Sequence, residues 1–314
     1  MPAVSVVVPA RDAVADIGPL TDALRRQDAP GGFEVIVVDN GSRDRTAELA
    51  ERAPAVTRVL RRARGEGPGA ARNAGAQAAR GEVLAFIDSD CRPVAGWLSA
   101  GVEASARAEL VQGRVLPDPA VPAGPFDRTL TVNGAHGLFE TANLFVRRSL
   151  LDRLGGFPAG LESDGTPFGE DVLFGWRARR AGARIGFCPR ALAYHAVTRR
   201  PARDYVAERG RLALFCELAR QVPELRESFF YRRYFHSRRS AAFDLALAGA
   251  LVAVVGDRPA ALLAALPYLR QVGRSARPWG RRVAPRVAAA EVAADAVGAA
   301  ALARGSVRSR TPLL

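Results

Sequence analysis

The sequence predicts an α/β fold in which a mostly parallel sheet is flanked by helices and followed by a mainly helical C-terminal extension. Three observations carry this. Apolar, β-branched runs alternate with amphipathic segments through the first part of the chain, which is the pattern of strand–helix–strand units. One of those runs, Val83-Leu84-Ala85-Phe86-Ile87, stops abruptly at Asp88-Ser89-Asp90, as a buried parallel strand does when its C-terminal end opens onto solvent. Charge then divides the chain: residues 1–198 carry a net +1, whereas 199–314 carry +12, from 21 Arg against nine acids.

The elements follow in order. Val4-Ser5-Val6-Val7-Val8 reads as a strand stopped by Pro9, and apolar spacing predicts a helix over 16–27. Phe33 to Val38 is a second buried strand, ending in Asp39-Asn40-Gly41-Ser42, where Ser42 or Asp44 could cap a helix over 45–52. A short strand over 56–60 leads to the loop Gly65-Glu66-Gly67-Pro68-Gly69 and a helix of small residues over 70–79. That loop fits neither G-x-G-x-x-G nor the P-loop spacing, so it predicts no dinucleotide site. The first three strand-to-helix turns and the acidic pair are expected to share one edge of the sheet, where open α/β sheets bind ligands.

Two carboxylates at i and i+2 after a strand, Asp88 and Asp90, concentrate negative charge that a cation or a donor must neutralise. A divalent cation with oxygen ligands would do so and leave positions open for a diphosphate. The plainer alternative is a solvated turn. Arg72 and Asn73, in the first turn of the small-residue helix, could meet a phosphate at the helix N-terminus, or Arg72 could simply be a surface residue. Cys91 beside the acidic pair reads as a small filler, and Cys91, Cys188 and Cys216 are too scattered for a disulfide framework or a metal cluster. They point to a reducing compartment. No basic, apolar leader opens the sequence, so a cytoplasmic location is expected.

The ordered set Val6-Val7-Val8-Pro9, Val37 to Asp44, Gly69-Ala70-Ala71-Arg72-Asn73-Ala74-Gly75 and Phe86 to Asp90 resembles the nucleotide-sugar half of family 2 glycosyltransferases. The resemblance implies the GT-A fold, a Rossmann-like sheet flanked by helices. It implies that Pro9 and Arg11 line the nucleoside pocket, that Asp39 contacts the base, and that Arg72 lies near base or diphosphate. It also implies that Asp88 faces ribose or metal and that Asp90 ligates the metal, Mn²⁺ or Mg²⁺.

Downstream, a helix is expected over 97–109, a strand over 110–116, a proline-rich loop over 117–125, a strand over 140–148 and a helix over 149–154. A loop with Glu162 and Asp164 precedes a helix that opens with Glu170-Asp171. Acids at a helix N-terminus are accounted for by the helix dipole. The other reading makes one of them a general base, which must reach the hydroxyl it activates. The succession Gly155-Gly156-Phe157, Gly169-Glu170-Asp171, Arg177 and Gly182 again resembles family 2, and the resemblance implies that Asp171 is the base. His195 follows two strand-like pieces, 184–189 and 191–195. Alone it reads as a surface or hydrogen-bonded histidine; the resemblance implies a metal ligand there, and neutral imidazole can fill such a place.

Past residue 199 the resemblance fades. A helix is expected over 204–220, and Phe229 to Arg239 interleaves aromatic rings with arginines, which suits a membrane interface, single-stranded nucleic acid, or packing on the catalytic domain. The apolar runs 241–255 and 260–269 are too short to span a bilayer, needing roughly 20 residues. They suggest a hairpin that lies in one leaflet or packs with 283–303. The expected organisation is a catalytic domain over 1–198, a basic helical extension over 199–304 and a disordered tail over 305–314.

The expected function is metal-dependent transfer of a sugar from a nucleotide-sugar donor, UDP ahead of GDP or dTDP, to a hydroxyl acceptor with inversion. A lipid-linked or envelope-polysaccharide acceptor and an anionic membrane surface are the expected partners, with location at the inner face of the cell membrane and no nucleic acid. The alternatives are a nucleotidyltransferase, disfavoured because the chain contains no Lys to meet a triphosphate, and a non-catalytic nucleotide-sugar-binding relative at the membrane.

Overall fold

The structure is a computed structural model that describes residues 2–63, 66–163 and 166–314. Gly65 and Asp164, assigned above to loops, lie outside the described residues. The chain forms two compact units, one of residues 1–122 with 129–198 and the other of 123–128 with 199–314.

In the first unit, β1 (Val4–Ala10), β2 (Phe33–Asp39), β3 (Arg58–Arg61) and β4 (Val83–Ile87) alternate with α1 (Ile17–Arg25), α2 (Thr46–Arg52) and α3 (Pro68–Ala78). The four strands are parallel in the order β3-β2-β1-β4. The apolar runs of β1, β2 and β4 are buried on both faces, as a parallel sheet covered by helices requires, whereas the edge strand β3 is partly exposed. Gly81, before β4, sits where a Cβ would come within 2.6 Å of the Ser5 backbone, so only glycine lets the chain enter the sheet there.

Four elements follow: β5 (Cys91–Pro93), α4 (Trp97–Ser105), β6 (Leu110–Pro117) and β7 (Asn143–Arg147). After α5 (Arg148–Leu154) come a hairpin of β8 (Leu161–Ser163) and β9 (Thr166–Phe168), then α6 (Glu170–Arg180) and β10 (Ile185–His195). The full sheet runs β3-β2-β1-β4-β7-β6-β10-β5. Strand β7 is antiparallel to both β4 and β6, which makes the second half of the sheet mixed. Asn143, fully buried at the start of β7, fastens this half together: its amide donates to the Arg114 and Ala191 carbonyls and its Oδ1 accepts from the Trp97 indole.

The two pieces expected at 184–195 are one strand with an irregularity between Cys188 and Leu192, where Pro189 has no N–H to give the ladder. Beyond it β10 pairs antiparallel with β5 and sets His195 opposite Cys91. That pairing positions the candidate site.

The second unit is helical. The helix expected over 204–220 is broken into α7 (Ala202–Glu208), a 3₁₀ turn at Arg209–Leu212 containing Gly210, and α8 (Ala213–Gln221). After α9 (Leu225–Ser228), Ser237 and Ser240 form a reciprocal cap on α10 (Arg238–Val255). A 3₁₀ stretch (Pro259–Ala265), α11 (Leu266–Ala276) and α12 (Gly280–Ser309) complete it. Ala242, Phe243, Tyr268 and Val272 form a small core with Ala288 and Ala299 of α12, so the base of the apolar hairpin packs on that helix.

The tail is not disordered. Helix α12 extends to Ser309, Leu313 is buried, and the Leu314 N–H donates to the Tyr234 carbonyl at 2.7 Å. An apolar anchor and paired backbone groups outweigh the composition that suggested disorder. Among the described residues, no helix is long and apolar enough to cross a membrane.

Candidate active site

The C-terminal ends of β1, β2 and β4 open onto a cleft of about 800 Å³ lined by Pro9, Arg11, Asp16, Asn40, Arg72, Asp88 and Asp90, among others. A second cleft, of about 610 Å³, shares Arg11 and adds Asp39, Ser42 and Arg61. Both lie in the size range of small-molecule sites. Their walls are pinned from side to side. The Asp12 N–H donates to Ser42 Oγ (2.9 Å), the Arg43 N–H to Asp12 Oδ1 (2.7 Å), and the Ala13 N–H to Thr46 Oγ1 (2.8 Å). Asp12 takes a left-handed conformation to do so, which aspartate tolerates better than most residues. The N-cap of α2 is Arg45, not Ser42 or Asp44; Asp44, one residue earlier, accepts the Thr46 N–H of the first turn at 2.9 Å. Asp39 is buried and accepts the Ser42 N–H at 3.3 Å.

Arg72 is the hub. It is buried on α3, and its guanidinium donates to Asp88 Oδ1 (3.1 Å) and to Glu170 Oε1 (2.9 Å). One buried cation therefore ties the acidic pair after β4 to the acidic pair that opens α6, with Glu170 lying 98 residues beyond Arg72 in the chain. A fixed fork of donors suits arginine to that double task. The expectation for Arg72 was base or diphosphate; it lines the main cleft, but its charge is committed to two carboxylates.

Asn73 does not face the cleft as a phosphate donor. Its amide donates to the Phe157 carbonyl (2.9 Å) and accepts the Phe157 N–H (2.8 Å), a two-point clamp on the Gly-Gly-Phe segment. Gly156 lies against it, with no room for a Cβ 2.6 Å from Asn73 Oδ1. Phe157 then packs edge-on to Phe86 and against Phe174 of α6. These contacts hold α3, β4 and α6 in one register.

At the head of α6, Glu170 is buried and Asp171 accepts the Val172 N–H at 2.8 Å. Burial, with the Glu170 charge beside it, pushes the Asp171 carboxyl up to about 7, against the opposing pull of Arg72. Glu140, itself raised by burial, adds to that negative field. Such a group exchanges a proton near neutral pH, which a general base requires.

Asp90 faces His195, Oδ2 to Nε2, at 3.4 Å. The His195 Nδ1 lies 2.8 Å from the Ala196 carbonyl, which can only accept, so Nδ1 carries the proton there. In the neutral ring Nε2 offers its lone pair towards that carboxylate, and a cation between the two would be bound by both. Burial and the Asp88 charge raise Asp90 above the usual carboxylate range, with His195 acting in the opposite direction. Asp90, Cys91 and His195 could place ligand atoms within 4.8 Å of one another. The buried Cys91 thiol is pushed well up, chiefly by burial, so the carboxylate–imidazole pair is the better donor set for a hard cation. Asp16 also joins this cluster from the start of α1: burial raises its carboxyl, which feels Arg92 and His195. A lone acid more than seventy residues upstream gave no signal of this in the sequence.

Comparison with known proteins fits this geometry. The model of glycosyl transferase family 2 matches residues 5–153. The chain is 32% identical over 219 residues to glycosyltransferase AglE of Haloferax volcanii, covering 65% of this chain and 69% of that protein. It is 30% identical over 224 residues to the pre-mycofactocin glycosyltransferase of Mycobacterium tuberculosis, covering 66% of this chain but only 45% of that protein. In fold it is similar to a Pyrobaculum calidifontis mannosyltransferase solved with GDP-Man and Mn²⁺ (TM-score 0.64, 24% identity, 95% and 87% of the two chains). It is also similar to Staphylococcus aureus TarS 1–349 solved with UDP-GlcNAc (TM-score 0.52, 21% identity, 99% and 93%). The chain belongs to glycosyl transferase family 2 and has the GT-A fold.

Proposed function

We propose that this chain transfers a sugar from a nucleotide-sugar donor, a UDP-sugar in the first place, to a hydroxyl acceptor with inversion at the anomeric carbon. The observation that carries the reading is the Asp88–Arg72–Glu170 bridge, which sets an acidic pair suited to a diphosphate site beside a carboxyl suited to proton transfer. The nucleoside occupies the clefts on either side of Arg11, with Asp39 reading the base and Pro9 forming the wall.

Asp90 and His195, with the second oxygen of Asp88, are the residues that would hold Mn²⁺ or Mg²⁺; the lone pair left on Nε2 fits that role. A divalent cation there supplies positive charge to the departing diphosphate. Asp171 accepts the proton of the acceptor hydroxyl as its oxygen attacks the anomeric carbon, and the bond to the diphosphate oxygen breaks on the opposite face. Arg72 keeps Glu170 and Asp88 in place meanwhile. The basic second unit suits a lipid-linked or envelope-polysaccharide acceptor at an anionic membrane surface.

The test is a thermal-shift screen against UDP, GDP, dTDP and CDP, each with Mn²⁺ and with EDTA, since a ligand that binds only the folded state raises Tm. Stabilisation by one nucleoside diphosphate that EDTA abolishes is expected. No shift with any nucleotide would leave the reading without a donor site.

A further inference from the structure

We propose that the surface formed by residues 245–286 of the second unit docks flat on an anionic lipid bilayer. Its aliphatic part enters the acyl boundary and its arginines meet lipid phosphates. This deepens the lipid-linked acceptor reading and rests on it for its purpose, but its own evidence lies within the second unit.

The first observation is unburied aliphatic surface. Ten of the 17 exposed large hydrophobic residues of the described chain fall between Leu245 and Leu269, with Val254 at 83% and Val255 at 77% exposure. Leu251, Leu262, Leu263 and Leu269 extend the patch. Single exposed apolar residues are ordinary, but such a concentration marks an interaction surface.

The second is uncompensated charge. Between Arg258 and Ala290 there are seven arginines and no acid. All seven (258, 270, 274, 277, 281, 282 and 286) are exposed, and none makes an ion pair among the described residues. The two acids of α12, Glu291 and Asp295, are spent on Arg239 at 3.2 and 2.7 Å. On α11 the buried residues Tyr268, Val272 and Ala276 recur every four positions; Leu266, Arg270 and Arg274 lie on the opposite face, exposed Leu269 flanks it, and exposed Arg277 follows the helix end. Leucines running into arginines along one exposed face form an interfacial arrangement.

The occupant follows from charge and shape. A second copy meeting the same surface by twofold symmetry would bring seven arginines against seven. Nucleic acid would answer the arginines but not the aliphatic patch, because single strands bind by stacking on aromatic rings. An anionic bilayer answers both. The patch lies on the bilayer rather than piercing it: Asp257 and Arg258 sit at the hairpin turn, and no described helix is long and apolar enough to cross. The hairpin is pinned as one body, because a Cβ at Gly249 would lie 2.5 Å from the Ala261 carbonyl oxygen.

The experiment is vesicle flotation of the full chain with phosphatidylcholine alone and with increasing phosphatidylglycerol. It uses the wild type, Leu251→Glu/Val254→Glu and Arg270→Ala/Arg274→Ala/Arg277→Ala, all at exposed positions. Binding that requires phosphatidylglycerol and weakens with salt is expected, with affinity falling about fivefold for each arginine removed. The Glu pair should abolish flotation, and Val254→Trp should be quenched by brominated lipid. Wild-type chain that fails to float with anionic vesicles overturns the proposal, as does flotation unaffected by either variant. A lipid-free dimer by light scattering that Leu251→Glu dissolves, or DNA binding as tight as vesicle binding, overturns it in favour of another occupant. The nucleoside diphosphate thermal shift, run on the same variants, separates the two readings: if it persists while flotation fails, the transferase reading stands and the membrane surface falls.

Discussion

The two units use the same cation in opposite ways. Arg72, in the first, is buried and makes ion pairs at 2.9 and 3.1 Å with carboxylates from two different elements. Arg258 to Arg286, in the second, are exposed and carry no acid among them. Burying a charge is costly unless it is paired, so the first arrangement can persist only where position is fixed. Leaving charges unpaired in water costs little and keeps them available to a partner. Burial thus lets one arginine hold a site together, and exposure leaves the others free to meet a partner.

The largest effect expected is on Asp171. Asp171→Asn should lower turnover by roughly 10²–10⁴-fold, the usual contribution of a general base, while leaving nucleotide-induced stabilisation intact. It should also raise Tm, because the amide carries no charge to bury. A variant with normal turnover would remove Asp171 from the chemistry.

Next comes Arg72→Met, which keeps the volume and removes the charge. Two carboxylates lose their shared partner, and stability should fall by about 3–5 kcal/mol, measurable by urea denaturation. The same substitution at exposed Arg274 should change stability by less than about 0.5 kcal/mol. Equal effects at the two positions would break the distinction between paired and unpaired arginine. Asp90→Ala should abolish the EDTA-sensitive part of nucleotide binding, and His195→Ala should weaken it less, both read by titration with UDP and Mn²⁺. Unchanged metal-dependent affinity in both variants would rule out that cation site.

The pH dependence sharpens the first half of the comparison. With Asp171 raised from 3.8 to about 7, chiefly by burial, kcat/KM for transfer should rise with pH and level off above about 7. Stability has the opposite sign. The folded state holds a proton that the unfolded state releases, so this group's contribution is fully present below about 4 and is lost as pH rises towards about 7. Arg72→Met should move the acid limb of the rate profile to higher pH, since the guanidinium pulls the carboxyl down.

Much of the first unit was legible because its signals are contiguous. The β-branched runs, Asp88-Ser89-Asp90 and Glu170-Asp171 each declare themselves within a few residues. What stayed hidden depends on contacts between distant segments. Asn73 looked like a phosphate donor because its partner, Phe157, lies 84 positions away. Asp16 joined the acidic cluster unannounced, through the sheet edge that carries β5. The reversed strand β7 left no mark either, since a buried antiparallel strand and a buried parallel one share the same composition. The tail was misread because one buried leucine, Leu313, outweighs a polar composition.

The last prediction concerns Gly249. A larger residue there must displace the Ala261 carbonyl and the Ala264 methyl, which lie 2.5 and 2.7 Å from where its Cβ would be. Gly249→Leu should therefore open the hairpin and cost about 1–3 kcal/mol, the usual range for overpacking. Because the change lies wholly in the second unit, the nucleotide-induced thermal shift should be preserved. Vesicle binding should fall even though the substitution adds apolar surface and leaves every arginine in place. Hydrophobicity alone predicts tighter binding, whereas a preformed face predicts weaker binding, and flotation of this variant decides between them.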